Sequence, residues 1–453
     1  MSTPSLGWSG IVRLGLVQAA LGAIVVLTTS TMNRVMVVEL ALPAMLPGAL
    51  VALHYAVQLS RPRFGHGSDV GGRRTPWIMG GMATLGAGAV LAAAGIVAFE
   101  VATGLGLATS VLAFLLVGFG VGAAGTNLLV LLATRVDERR RAAAATVVWL
   151  MMIVGFVAST VLVGAWLDPY SGTRLLVLTA AVSIGALGVT LVALRGLERG
   201  AARRDRAPAE APAPAPAASF RAAMAEVWSE ASARRFTVFI FVSMLAYSAQ
   251  DLILEPFAGT VFGMTPGEST RLASLQHGGV LAGMLVVAFA CSVIGGARLG
   301  SLRGWTVGGC LASAIALAGL ATAGHAGPGW PLAANVFVLG VANGAFAVAA
   351  IGSMMAHAAC GHARREGVRM GLWGAAQAIA FALGGFVGAA GSDLARGLLD
   401  GPGPAYALVF GLEAILFVAA AWLALRLDAP PATSRIPTPP RPQAPLGTQE
   451  HPA

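Results

Sequence analysis

Apolar runs long enough to cross a hydrocarbon layer recur from one end of this chain to the other, and they constrain its fold more than any other feature. A spanning helix needs about 20 residues at about 1.5 Å each. About twelve runs qualify, at roughly 11–38, 43–60, 76–99, 104–133, 142–167, 173–195, 236–262, 269–293, 305–324, 330–358, 366–390 and 404–426. In lipid every backbone donor and acceptor must be satisfied within the segment, so such a series is helical. The expectation is an all-α polytopic membrane protein. The first run is not read as a cleaved leader, because it lacks a basic lead-in and extends too far.

Charge supports that reading and sets an orientation. Only 11% of the 453 residues are charged, against about 25% in ordinary globular proteins. No lysine occurs; all 29 basic residues are arginine. That excludes chemistry needing an amine, including a P-loop lysine, a Schiff base or attachment of pyridoxal phosphate. The loops after even-numbered runs, with Arg13 and the tail, hold 25 arginines, and the other side holds Arg34, Arg174, Arg271 and Arg396. The positive-inside rule then places both termini and the even-numbered loops in the cytoplasm. The net charge of +9 is no nucleic-acid signal, because it sits in these short loops.

A Pro-Ala run divides the chain. Residues 1–196 are expected to form an N-terminal six-helix bundle and 236–427 a C-terminal one. Between them, 197–235 reads as a cytoplasmic linker. Its Phe220, Met224, Val227 and Trp228 repeat at the spacing of an amphipathic surface helix. The Pro-rich tail, 428–453, reads as disordered.

"GHGSDVGGRR" (65–74) follows the second run. It resembles the loop motif of the major facilitator superfamily in Gly65, Asp69, Gly72, Arg73 and Arg74, and departs from it at Val70, where a basic residue is usual. The resemblance implies that superfamily's fold, 12 transmembrane helices in two six-helix halves. "GVGAAG" (120–125) fits a dinucleotide fingerprint formally, but it lies inside an apolar run with no preceding strand and reads as helix packing. His357, Cys360 and His362 cluster without an acidic or further cysteine partner, so no metal site is expected.

The scarce charges inside the runs are the candidate site. Asn33, Arg34 and Glu39 in the first run match Gln250, Asp251 and Glu255 in the seventh, at about 24–30 Å from the cytoplasmic surface. Ionisable groups at membrane depth need a partner or water. Arg34 is therefore expected to pair with Asp251 or Glu255 across the halves, as a clamp or a gate. Glu413 is a candidate proton carrier. His54 and His277 are candidate ligands for the magnesium of a chlorophyll, His277 with Gly278 and Gly279 beside it for a flat ring.

"TMNRVMVVEL", "LHYAVQLSRPRFGHGSDVGGRRTPWIMGGM", "SAQDLILEPFAG" and "GLWGAAQAIAFALGGFVG" together resemble the PucC/LhaA family of purple phototrophic bacteria, a branch of the major facilitator superfamily. The resemblance implies an assembly factor for light-harvesting antenna complexes in the intracytoplasmic photosynthetic membrane. It would supply bacteriochlorophyll as cargo to antenna polypeptides, in some members beside chlorophyll synthase. No catalytic residues are expected. The other readings are a proton-coupled secondary transporter of a small solute and a pigment-free scaffold for antenna helices.

Overall fold

The computed structural model describes residues 6–61, 64, 73–198, 228–291, 301–359 and 366–427. Six helices precede the linker: α1 (Trp8–Glu39), α2 (Met45–Val57, continued by a 3-10 turn over Gln58–Ser60), α3 (Thr75–Val101), α4 (Thr103–Arg135), α5 (Glu138–Trp166) and α6 (Gly172–Leu194). Six follow it: α7 (Ala231–Phe262), α8 (Pro266–Phe289), α9 (Leu302–Ala326), α10 (Leu332–Ala359), α11 (Glu366–Leu398) and α12 (Pro402–Leu425). Eleven of the described helices are long and apolar enough to cross a membrane, and α2 is a shorter apolar helix. No strand occurs among the described residues. The protein is a multi-pass membrane protein. The Pro-Ala linker with most of its surface helix, the tail, and Gly65, Asp69 and Gly72 lie outside the described residues, as do Cys360, His362 and the side chain of His357.

Local chemistry sets the breaks. Gly263 ends α7 in the left-handed conformation (φ 68°). Thr265 and Glu268 then form a reciprocal capping box, with Pro266 in the first turn of α8. Gly401, at φ 99°, and Pro402 open α12 in the same economical way.

Packing repeats from one half to the other. The pairs α1–α5, α1–α6, α2–α4, α3–α4 and α3–α6 have counterparts in α7–α11, α7–α12, α8–α10, α9–α10 and α9–α12. Across the halves, α5 packs on α8 and α2 on α11, which are again equivalent. Two parallel repeats joined along two seams is the arrangement of a facilitator. Small residues allow the close approach: a Cβ on Gly155 would sit 2.1 Å from the Ala19 carbonyl, and one on Gly120 2.5 Å from the Leu85 nitrogen. "GVGAAG" is therefore helix packing. Large apolar side chains such as Ile184, Ile315 and Ile415 face outward, where lipid would cover them.

Candidate functional site

α1 departs from a regular helix where its charges lie. π-helical turns over Leu27–Thr31 and Val35–Glu39 bracket a short α segment, Met32–Arg34. Thr28 and Thr29 hydroxyls donate to the Val25 carbonyl at 2.8 and 3.1 Å, the kind of back-bonding that bends helices. A π turn closes at i to i+5, so Arg34 lies over Glu39, five residues on, and the two form an ion pair. The other guanidinium nitrogen, Nη2, donates to the main-chain oxygen of Met264 at 2.6 Å, in the second half. Arg34 is only 1% exposed. Gly259 makes room for it: a Cβ there would stand 3.0 Å from Nη2.

The predicted bond from Arg34 to Asp251 or Glu255 is therefore not what the fold makes. Arg34 crosses the halves to a carbonyl, because the π turn supplies its carboxylate from its own helix. Glu255, 2% exposed, instead accepts hydroxyl hydrogen bonds from Ser30 of α1 and, at 3.4 Å, Thr270 of α8. Thr31 and Thr270 hydroxyls meet at 3.4 Å, and the Asn33 amide donates to the Leu252 carbonyl at 2.5 Å.

Two further contacts close the same, arginine-poor end. Asp168, after α5, accepts from the Thr265 hydroxyl at 2.7 Å and the Gly267 N–H at 3.0 Å, with Arg271 at 3.8 Å. The carboxylate thus sits at the N-terminus of α8, where it meets the helix dipole. Asp393 accepts from the Met45 N–H at 2.8 Å. These hydrogen bonds join the two halves at this one end. We refer to the set as the latch. Sequence reasoning missed Ser30, Asp168, Thr270 and Asp393; Gly263, Pro266 and the Thr265–Glu268 capping box were legible signs that α8 begins there. Beside the latch, burial and the charges of Glu100 and Glu39 push the Tyr170 phenol up to about 12, so it stays neutral.

One turn from Glu255 toward the arginine-rich end, Asp251 is half-buried and hydrogen-bonded to Gln276 of α8. Tyr55 of α2 and Tyr247 of α7 interact electrostatically with it. Both tyrosine rings lie against Phe381 of α11, at 5.5 and 6.0 Å between centroids. Four helices from both halves thus meet around one carboxyl and three half-buried aromatic rings. This aromatic chamber was not foreseen, since its rings come from distant runs. Gln250, beside it in the chain, is fully buried, with neither amide atom bonded among the described residues. Glu413 is buried in α12 with both oxygens lacking a hydrogen-bond partner there, within the field of Asp251.

The histidines separate. His54 is 1% exposed; its Nε2 meets the Gln58 amide at 2.5 Å, and Gln58 in turn receives Arg61. Its carbonyl lies against Gly118 of α4. The imidazole is thus enclosed, with Nδ1 lacking a hydrogen-bond partner among the described residues. His277 is half-buried and edge-on to Phe156 of α5, with ring centroids 5.0 Å apart. Gly278 borders open space, but Gly279 is closed by the Phe337 carbonyl of α10, 2.4 Å from where a Cβ would stand.

At the arginine-rich end, the Glu198 carboxylate accepts from the N–H groups of Arg74 and Thr75 at 2.9 and 3.0 Å, capping α3. Burial alone would raise its pKa. The hydrogen bonds at the helix N-terminus and the charge of Arg73 outweigh burial and hold it below the usual range.

Comparison with known proteins gives consistent results. The model of the PUCC protein family matches residues 31–431. A relative named bacteriochlorophyll synthase 44.5 kDa chain, from Rhodobacter capsulatus, is 54% identical over 96% of this chain and 99% of its own length. Proteins named PucC from Rhodobacter capsulatus and Cereibacter sphaeroides are 30% and 29% identical, over 92% and 89% of this chain and 92% and 88% of their own. Among solved structures, a peptide transporter POT bound to sulfate aligns with a TM-score of 0.68 at 16% identity, covering 94% of this chain and 96% of that one. A mutant of the nucleoside transporter NupG aligns at 0.63 and 14%, covering 93% and 100%. At these identities the structures speak for the fold, which is that of the major facilitator superfamily.

Proposed function

The chain belongs to the PUCC protein family, and from that premise we propose that it serves the photosynthetic apparatus as an assembly factor, handing bacteriochlorophyll to antenna polypeptides. The observation that carries this reading is the 54% identity, over nearly the whole of both chains, to a relative named for bacteriochlorophyll synthesis. The seat is the intracytoplasmic photosynthetic membrane, with the arginine-rich end and both termini in the cytoplasm.

The word synthase in that relative's name leaves room for an enzymatic role. We place this chain beside the pigment-making chemistry and not within it, because its solved neighbours are transporters. A chain of this kind would receive pigment from a synthase and hold it away from water until an antenna helix takes it. The latch supports a molecule held shut at one end, and the chamber offers three aromatic rings to a flat, apolar cargo. His277 keeps one open side, beside Gly278, and remains a candidate magnesium ligand at the α5–α8 seam.

A second reading rests on the chamber itself. A half-buried carboxyl between two halves of a transporter fold is where a proton-coupled carrier of a small solute would bind and release its proton. Asp251 would be the carrier, with Glu255 or Glu413 behind it.

The test is an absorbance spectrum of the protein purified gently from a phototrophic host lacking its antenna polypeptides. A near-infrared bacteriochlorophyll band co-eluting in fixed ratio is expected. A colourless protein would end the pigment reading and favour the solute carrier or a pigment-free scaffold. In proteoliposomes the carrier reading requires Asp251→Asn to abolish solute-driven pH change.

A further inference from the structure

α9 and α12 cross closely at the arginine-poor end, where a Cβ on Gly403 would stand 2.2 Å from the Gly324 carbonyl. Alongside that crossing, on the outer face of the second half, the two helices leave an open groove of about 520 Å³. That volume lies within the ~300–1,000 Å³ of ordinary ligand sites. Its floor is small and flat, from Ala321, Ala407 and Gly411; nothing lies within 4 Å of where a Gly411 Cβ would project. Its walls are apolar, and Ile415 is 64% exposed, as expected of a surface turned to lipid.

One side chain in this groove does not suit lipid alone. His325, in the last turn of α9, is exposed at the groove's end, and no bond of its imidazole to another described residue is present. Thr322 lies one turn before it on the same lining. No arginine and no carboxylate lines the groove. A phospholipid headgroup would look for a cation there and find none, and an acyl chain gains nothing from a nitrogen donor. A magnesium tetrapyrrole matches each feature. Its flat ring needs a small-residue floor, its periphery and tail need apolar walls, and its metal has an open axial position for a neutral imidazole.

Resting on the pigment reading above, we propose that the α9–α12 groove is a lateral docking site for a magnesium chlorin, with a His325 ring nitrogen as axial ligand to the metal. The groove opens sideways, so pigment enters from lipid and leaves to a neighbouring helix without crossing the bilayer or opening the latch. The groove is thus a lateral site in addition to the central chamber.

The experiment titrates full-length detergent-purified protein with bacteriochlorophyllide a and, separately, with its magnesium-free counterpart, following the near-infrared band. Two variants are compared, His325→Leu, which removes the ligand, and Gly411→Leu, which fills the floor. Both positions are on the outer surface, and thermal melting confirms that the variants are folded. The expected result is saturable binding of the magnesium form, weakened tenfold or more by His325→Leu, with the preference over the magnesium-free form lost. Gly411→Leu should weaken both forms. If the wild-type protein binds pigment and both variants bind it equally well, the groove assignment is overturned while the pigment-handling reading stands. Equal binding of both forms, displaced by phospholipid, would make this an acyl-chain groove and also overturn the assignment. No saturable binding by the wild-type protein would overturn both readings.

Discussion

Asp251 and Glu255 stand one turn apart on α7. Glu255 is buried under two hydroxyls from α1 and α8, inside a latch that also holds Arg34, Glu39 and the Met264 carbonyl. Asp251 shares Gln276 but is otherwise surrounded by half-buried aromatic rings, and it keeps capacity for another partner. A buried charge is costly unless paired and hydrogen-bonded. The latch meets that cost within the fold and so joins the halves. The chamber leaves part of it unmet, which is the usual signature of a group waiting for a ligand, a proton or water.

The largest test of this contrast is Arg34→Ala. It empties a buried site and strands the Met264 carbonyl, while the Glu39 side chain, 32% exposed, turns to water, so the cost should approach but stay below the about 3–5 kcal/mol of a broken fully buried pair. A clear drop in the thermal midpoint of the purified protein is expected, with antenna assembly impaired. Arg34→Lys should recover little, since an ammonium cannot fork between the two acceptors. Exchanging Arg34 with Glu39 should recover part of the loss, whereas exchanging Arg34 with Asp251 should not. Rescue by the second exchange would mean that the charge pair crosses the halves after all.

Glu255→Ala comes next. It leaves Ser30 and Thr270 hydroxyls without their acceptor, at about 1–3 kcal/mol. Glu255→Gln preserves an acceptor and should cost about 1 kcal/mol or less. Equal melting of the two variants would show that the hydroxyls find water, and that the latch is looser than its geometry.

Asp251→Asn and Tyr247→Phe probe the other region. Their melting should shift by about 0.5 kcal/mol or less, while pigment retention or solute-driven pH change falls several-fold. A loss of stability as large as that of Glu255→Ala would place Asp251 in the latch class and remove the distinction.

The smallest effect concerns a carboxylate clear of the membrane. Glu198 has a depressed pKa in the folded protein. Its contribution is therefore fully present above the unfolded value, about 4.3, and is lost as pH falls through the folded one. Glu198→Gln should flatten the acid limb of the melting profile and leave neutral pH nearly unchanged. An unaltered acid limb would show that the α3 cap does not depend on charge.

The helix number, the two halves and the clustering of arginine at one end were legible in the residues alone. Hydrocarbon thickness acts on run length and loop charge, and both are properties of the chain read in one dimension. The site was legible only in part. Asn33, Arg34, Glu39 and Glu255 were identifiable as costly residues, and the structure gathers them at one end. Their partners were not identifiable, because partner choice depends on how each helix is rotated. Two π turns in α1 each shift that rotation by a residue, turning Arg34 onto Glu39 and Ser30 onto Glu255. The chamber joins Tyr55, Tyr247, Asp251, Gln276 and Phe381 from four separated helices, and no periodicity within one run announces such a meeting. His54 offered the residue type of a pigment ligand, and its burial came only with the packed helices. Membrane depth was set by the sequence through hydrophobic length. Which scarce polar groups became latch, chamber or closed core was decided by tertiary structure, because distance and rotation between helices exist only once they have packed.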